Sequence, residues 1–220
     1  MIIRPIYNIL LLPDVSYYFK KDFFSGFGGE SIETGSDILF IFLKNDREDD
    51  DYTPDDFYPI GLAARAEGFG EEDAVSVRTL HRVDISDLEI SDSEITAAAS
   101  IRAEAADMTA GEEKQHFARL RSALLKFVQG YQWGLWARSF ILQRKNICDL
   151  ACALSDYLNL TAEEKYEILA ADSLRARYDL ITNAVSEFIE VAKVSEEAQN
   201  AQKGDQEQLY REAAIKKQID

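Results

Sequence analysis

From Met1 to about Arg102, short apolar runs rich in β-branched and aromatic residues alternate with Gly, Asp and Pro. That texture predicts strands at Ile6–Leu11, Asp37–Leu43, Pro59–Ala66, Ala74–Leu80, Val83–Leu88 and Thr96–Ala103. The strands follow one another closely and no long helical pattern separates them, which points to a compact barrel rather than a βαβ fold. Phe19–Phe24 reads as one short helix.

At Thr109 the period changes. Thr109-Ala-Gly-Glu112 is a capping box, in which the threonine oxygen and the glutamate each satisfy one amide that the first helical turn leaves orphaned. Phe117, Leu120, Leu124, Phe127, Val128, Tyr131 and Leu135 then recur at three-to-four spacing, the stripe of a helix packed along one face. A second capping box, Thr161-Ala-Glu-Glu164, opens another helix, which Asp172-Ser173 interrupts. Leu174, Tyr178, Ile181, Val185, Phe188 and Ala192 follow at steps of four and three. Beyond Lys193 the apolar pattern fades, and the spacing predicts a helix that leaves the globule. Unbroken from Ser173 to Asp220, it would be roughly 70 Å long. The chain stops within the amphipathic run Tyr210–Asp220, which carries no helix-stop signal, so a longer polypeptide is expected.

The 220 residues, 46% of them hydrophobic, are enough for one or two domains with real cores. A formal charge of −16, from 40 acidic and 24 basic side chains, disfavours nucleic acid and anionic membranes as partners. No apolar run approaches the roughly 20 residues of a membrane span, and the N-terminus lacks the layout of a signal peptide, so a cytoplasmic protein is expected. Cys148 and Cys152, four apart in a helical stretch, rule out a disulfide framework.

Candidate chemistry is sparse. No Gly-x-x-x-x-Gly-Lys-Ser/Thr phosphate loop occurs. Gly26-Phe-Gly28-Gly29-Glu30 reads as a turn, because no helix pattern follows and Glu30 and Glu33 put acid where phosphate would sit. A metal site built on His81, His116, Cys148 and Cys152 lacks convergent ligands, and the cysteines read as small buried apolar residues. The acidic cluster of Asp46 and Glu48–Asp51 with Asp55 and Asp56 lacks the alternating ligands, glycine and closing glutamate of a calcium loop and reads as a solvated hairpin tip. Neither histidine belongs to a nucleophile elbow. No catalytic, cofactor-binding or metal-binding residue is therefore assigned.

Aromatic residues are the candidates for binding. Tyr17, Tyr18, Phe19, Phe23 and Phe24 crowd one short stretch, and Trp133 and Trp136 lie three apart on a helix with Tyr131 and Phe140. Either group serves as packing or as an apolar surface that takes unfolded chains with little regard to sequence.

The order of several segments resembles the N-terminal, substrate-binding domain of the Lon protease family. Ile6-Tyr-Asn-Ile-Leu-Leu-Leu-Pro13-Asp14-Val15 is similar to that family's first strand. Pro59-Ile60-Gly61-Leu-Ala63 resembles its central strand, and Val75–Ile85, with Arg82-Val83, the pair that follows. Glu164-Lys165-Tyr-Glu-Ile168-Leu169, Arg177-Tyr178 and Glu187-Phe-Ile-Glu190-Val191 resemble its bundle and exit helix. Leu209-Tyr210-Arg-Glu212-Ala-Ala-Ile215-Lys-Lys-Gln218-Ile resembles the linker before an ATPase. The chain departs from the family at Tyr17–Lys21, where a Phe-Pro-Gly turn is common, and at Leu80-His81, where a glycine often precedes Arg-Val.

The resemblance implies an α+β fold: a PUA-like β pseudo-barrel over residues 1–105, a helical bundle over 106–192, and a long helical linker from 193 to 220. It implies recognition of unfolded or degron-bearing polypeptides and self-association, as a hexamer in the full enzyme. ATP and Mg are expected only for an ATPase domain outside this chain, ahead of a serine-lysine protease domain; no cofactor is expected here. Three alternatives stay open: a stand-alone PUA-like reader of ligands or peptides, a purely architectural oligomerisation region, and a small-molecule enzyme.

Overall fold

The computed structural model describes residues 1–25, 32–47, 51–91, 94–131 and 133–195. The Gly26–Glu30 turn, residues 48–50 of the acidic run, and the outgoing helix beyond Ser195 with the Leu209–Ile219 stretch lie outside the described residues.

Among the described residues six strands make one mixed sheet: β1 (Ile2–Ile6), β2 (Ser16–Lys20), β3 (Asp37–Phe42), β4 (Ile60–Phe69), β5 (Ala74–Ile90) and β6 (Ile95–Ile101). Their order is β1-β3-β4-β5-β2, with β6 also on β5. β1 runs parallel to β3, and the other pairs are antiparallel. The 17-residue β5 pairs with β4 from Val75 to Asp84 and divides its other edge, giving Ala74–Arg78 to β2 and Val83–Ile90 to β6.

Five helices follow among the described residues: α1 (Ala110–Val128), α2 (Gly134–Leu142), α3 (Ile147–Ala153), α4 (Ala162–Ala170) and α5, residues 174–195. Thr109 and Thr161 cap α1 and α4 through the two capping boxes that the sequence announces. The fold is mixed α+β.

β3 is buried on both faces because its apolar run is continuous and strand side chains alternate. Ile38, Phe40 and Phe42 enter the main core, which continues through Leu124, Leu150, Ile168 and Ile181 of the helices. Leu39, Ile41 and Leu43 face a second cluster with Phe57, Val83 and Ile95.

Several expected elements are corrected. The first strand ends at Ile6 instead of spanning Ile6–Leu11, because Asn8 takes φ 55°, a left-handed turn that asparagine tolerates. Leu10, Leu11 and Leu12 are buried in a connector instead. Phe19–Phe24 is the end of β2 and a 3-10 turn, Lys21–Phe24, not one helix. Ala74–Leu80 and Val83–Leu88 belong to one strand. The polar His81-Arg82 pair between them reads as a break, but Arg82 is only 2% exposed and finds its partners at the C-terminus of α4, on Asp172 and on Glu104. The apolar stripe to Leu135 is not one helix: α1 stops at Val128, and Leu135, in α2, is 82% exposed.

Two buried arginines join sheet to bundle. Arg82 Nη1 donates to the carbonyls of Leu169 and Ala170 at 3.3 and 3.1 Å, and Arg177 donates to those of Ile168 and Ala171 at 3.2 and 2.7 Å. Cations thus meet the open carbonyls at the α4 C-terminus, where the helix dipole favours them. Glu104 pairs with both guanidinium groups, and Asp172 pairs with Arg82 at 3.0 Å and with Arg102 at 2.6 Å. Charges this deep are tolerated because each guanidinium has carboxylate and carbonyl partners, although Arg82 Nη2 is buried without one among the described residues.

Candidate functional site: an aromatic groove in the helical half

α1 cannot continue past Val128, because Gly130 and Gly134 bracket a turn that brings the two backbones together. A Cβ at Gly134 would collide with the Val128 carbonyl oxygen. The turn sets α2 beside α1 and lifts Trp133 and Trp136 out of the core, leaving them 48% and 64% exposed.

Between these helices and α5 lies a groove of about 670 Å³. Leu124, Phe127 and Val128 of α1 form its floor with Ala137 and Ile141 of α2, while Phe188, Ala192 and Ser195 of α5 close one side. Trp133, Trp136, Phe140 and Tyr157 contribute rings. Phe188 and Tyr131 meet Phe127 edge-on at 5.7 and 4.9 Å, and Trp133 stacks on Tyr131 at 4.8 Å. Trp136 stacks on Phe140 at 5.5 Å, and the Arg144 guanidinium covers Phe140 at 4.9 Å. Rings locked against one another lose little conformational freedom when a ligand arrives.

Among the described lining residues there is no carboxylate, histidine, cysteine, lysine or arginine; the polar side-chain groups are the hydroxyls of Tyr131, Tyr157 and Ser195 and the indole N–H of Trp133 and Trp136. Such a lining offers no nucleophile paired with a base and no metal ligands. It offers apolar area, and each aliphatic or aromatic side chain buried there would contribute about 1.5–3 kcal/mol.

The other aromatic candidates sit differently. Phe24 is in the main core at 1% exposure, and the half-buried Phe19 and Phe23 stack at 4.9 Å and meet Phe24 edge-on. The main-chain oxygen of Phe24 accepts from buried Arg4. The Tyr17 hydroxyl points inward, where burial pushes its pKa well above the usual value. Tyr18 alone of the five is open to solvent, at 76%. Alternation along β2 explains this: Tyr17 and Phe19 share the packed face and Tyr18 the outer one. The structure therefore joins Trp133 and Trp136 in one groove and leaves Tyr17, Phe19, Phe23 and Phe24 as packing at the sheet. Tyr131 and Phe140, grouped with the tryptophans by spacing, join them there. Tyr157 and Phe188 complete the groove, and sequence reasoning passed over these two as groove residues, Phe188 carrying a signal only as part of the α5 packing stripe.

His81 and His116 stand apart, and among the described residues no three His, Cys, Asp or Glu side chains converge as a metal site would require. No helix among them is long and apolar enough to cross a membrane.

The family model of the ATP-dependent protease La (LON) substrate-binding domain matches residues 5–187, which take in most of the sheet and the α1 and α2 side of the groove. The chain belongs to that family. Among solved structures, this Lon substrate-binding domain is similar to the N-terminal domain of Mycobacterium avium complex Lon protease. The two share 16% identity and a TM-score of 0.50, over 84% of this chain and 96% of that one. A Lon N-terminal domain protein from Xanthomonas campestris matches with 14% identity and a TM-score of 0.44, over 80% and 93% of the two chains. At such identity the first likeness speaks for the fold. No curated protein matches the chain. Membership in a substrate-binding domain family points to polypeptide as the substrate class, and the groove is an open apolar concavity with exposed aromatic rims.

Proposed function

We propose that this domain captures unfolded or degron-bearing polypeptides for an ATP-dependent Lon serine protease, by seating their apolar segments in the groove rimmed by Trp133 and Trp136. The observation that carries this reading is that two tryptophans, residues normally hidden, stand open over an apolar concavity. The lack of ionic groups in the lining supports recognition that tolerates many sequences. Self-association is supported by Val191 and Val194 of α5, exposed at 56% and 66% outside the packed stripe. In this reading ATP, Mg and peptide cleavage belong to domains of the parent enzyme outside these residues. The parent works in the cytoplasm, and nucleic acid is not a partner of so acidic a segment.

The test is fluorescence anisotropy with a labelled, carboxymethylated and permanently unfolded protein, titrated with the wild-type chain and with Trp133→Ser/Trp136→Ser. We expect affinity to drop about tenfold or more while the free energy of urea unfolding changes by no more than about 0.5 kcal/mol, as for surface changes. Unchanged affinity in the folded double variant rejects the groove as the capture site. If self-association is lost instead, the groove is an assembly surface.

A further inference from the structure

β6 is an edge strand of unusual make-up. It pairs with β5 alone among the described strands, and its seven residues, Ile-Thr-Ala-Ala-Ala-Ser-Ile, include no charge and no proline. Natural edges are normally blunted by one or both, since a free row of amides and carbonyls is a template for another strand.

The ladder fixes which groups are free. Arg102 N–H donates to Arg82 O at 2.9 Å, so with Val83 opposite Ile101 and Ile85 opposite Ala99, alternate residues of β6 bond to β5. Arg102 and Ser100 point to β5; Ala99 and Ile101 direct N–H and C=O away from it. On the other side, Ile85 N–H donates to Pro59 O at 2.8 Å, which is consistent with that alternation. Ala98, Ala99, Ser100 and Ile101 are all exposed, Ile101 at 72%. Yet Ala99 and Ile101 share a face with Val83 and Ile85, whose side chains belong to the second apolar cluster. That cluster runs out at β6, and one more strand would extend it over Ile101.

Charge selects the occupant. Asp87, Glu89 and Glu94 flank this edge, and no cation pairs with them among the described residues. A second copy would add acid to acid, bringing together two chains of net charge −16. An extended segment with basic flanks meets complementary charge.

We propose that the free edge of β6 accepts an extended, net-basic polypeptide segment as an added strand, through the backbone of Ala99 and Ile101. The proposal rests on polypeptide capture as this domain's role and adds to the groove a second contact, one that reads main chain instead of side chains.

The probe is a short synthetic peptide of alternating valine and threonine flanked by lysines, added to the whole chain and followed by amide hydrogen exchange and anisotropy. Exchange at Ala99 and Ile101 is expected to slow, a glutamate-flanked peptide to bind about tenfold more weakly, and added salt to reduce the difference. Ala99→Pro removes an outward N–H without touching the β5 ladder, and Ile101→Lys sets a charge on the edge without opening the core; each is expected to weaken binding about tenfold. Trp136→Ser is expected to leave the exchange effect in place, which separates this contact from the groove. Peptide binding with unchanged exchange at Ala99 and Ile101 overturns the edge proposal and leaves capture standing. Slowed exchange without peptide that grows with protein concentration overturns it in favour of a second copy. Failure of every peptide to bind, while unfolded protein still binds the groove, overturns the edge alone.

Discussion

The Tyr17 hydroxyl donates to Cys152 Sγ at 2.7 Å and accepts from Leu12 N–H at 3.0 Å, so strand β2, the buried leucine connector and helix α3 meet at one oxygen. Tyr17→Phe removes that oxygen and leaves a buried amide without its partner. We expect a loss of about 1–3 kcal/mol in urea unfolding, the penalty of an unsatisfied buried donor, with capture of unfolded protein by the folded variant unchanged. Weakened capture at undiminished stability would move Tyr17 from packing into the binding surface.

Neither thiol is readily reached: Cys148 is buried, and the half-buried Cys152 sulfur accepts the Tyr17 hydroxyl. Burial pushes Cys148 up to about 12 and raises Cys152 as well. Only the thiolate attacks disulfide reagents. Ellman's reagent at mildly alkaline pH is therefore expected to release neither thiol from the folded chain and both after denaturation. Prompt release under native conditions would show that α3 opens on the timescale of the assay.

Acid is expected to weaken the join between sheet and bundle. Hydrogen bonds from Arg102, and then from Arg82, hold the Asp172 carboxyl down to about 2, against an ordinary value of 3.8. At the α1 N-terminus the Thr109 N–H, with Arg175 adding to it, holds Glu112 at about 2 against 4.5. The folded carboxylates bind protons less readily than the unfolded ones. Their stabilisation is therefore complete above about pH 4.5, declines as pH falls and is gone below about pH 2. Thermal unfolding of Asp172→Asn should start from a lower midpoint at neutral pH, because Arg82 loses a partner, and should fall less steeply between those limits. A slope equal to that of the wild type would mean that Asp172 is not a source of the acid sensitivity.

What the sequence revealed and what it hid follow from the range of the forces involved. Capping boxes at Thr109 and Thr161 and the apolar run of β3 are local signals, and the elements stand where those signals put them. The continuity of β5 across Arg82 was hidden because the carbonyls and carboxylate that satisfy that charge come from α4 and Asp172, far along the chain. Asn8 ended β1 early by a single left-handed residue inside an apolar run. Trp133 and Trp136 drew notice by residue type, but their openness depends on the break after Val128. Periodicity alone carried the stripe through to Leu135, because Tyr131 and Leu135 happen to fall at helical spacing.

That break supplies the last prediction, a contrast between two glycines in the same helical half. Gly134 starts α2, and an added Cβ there would run into the Val128 carbonyl, a backbone atom that cannot swing aside as a flexible side chain would. The Gly134 amide also closes the turn by donating to Tyr131 O at 3.0 Å. Relief of the clash must therefore pry α2 from the end of α1 and shift both tryptophans. Gly111, in the first turn of α1, would bring its Cβ no nearer than 3.8 Å, to Thr109 Oγ1, which is ordinary contact. There alanine restricts the unfolded chain and favours helix. We expect Gly134→Ala to cost about 1–3 kcal/mol and Gly111→Ala to add about 0.4–1 kcal/mol. Tryptophan fluorescence should change in the first and not in the second. Capture affinity should fall only for Gly134→Ala, since the groove depends on where the turn sets α2. If Gly134→Ala were as stable as the wild type with unaltered fluorescence, the close approach at Val128 would not be what holds the groove open.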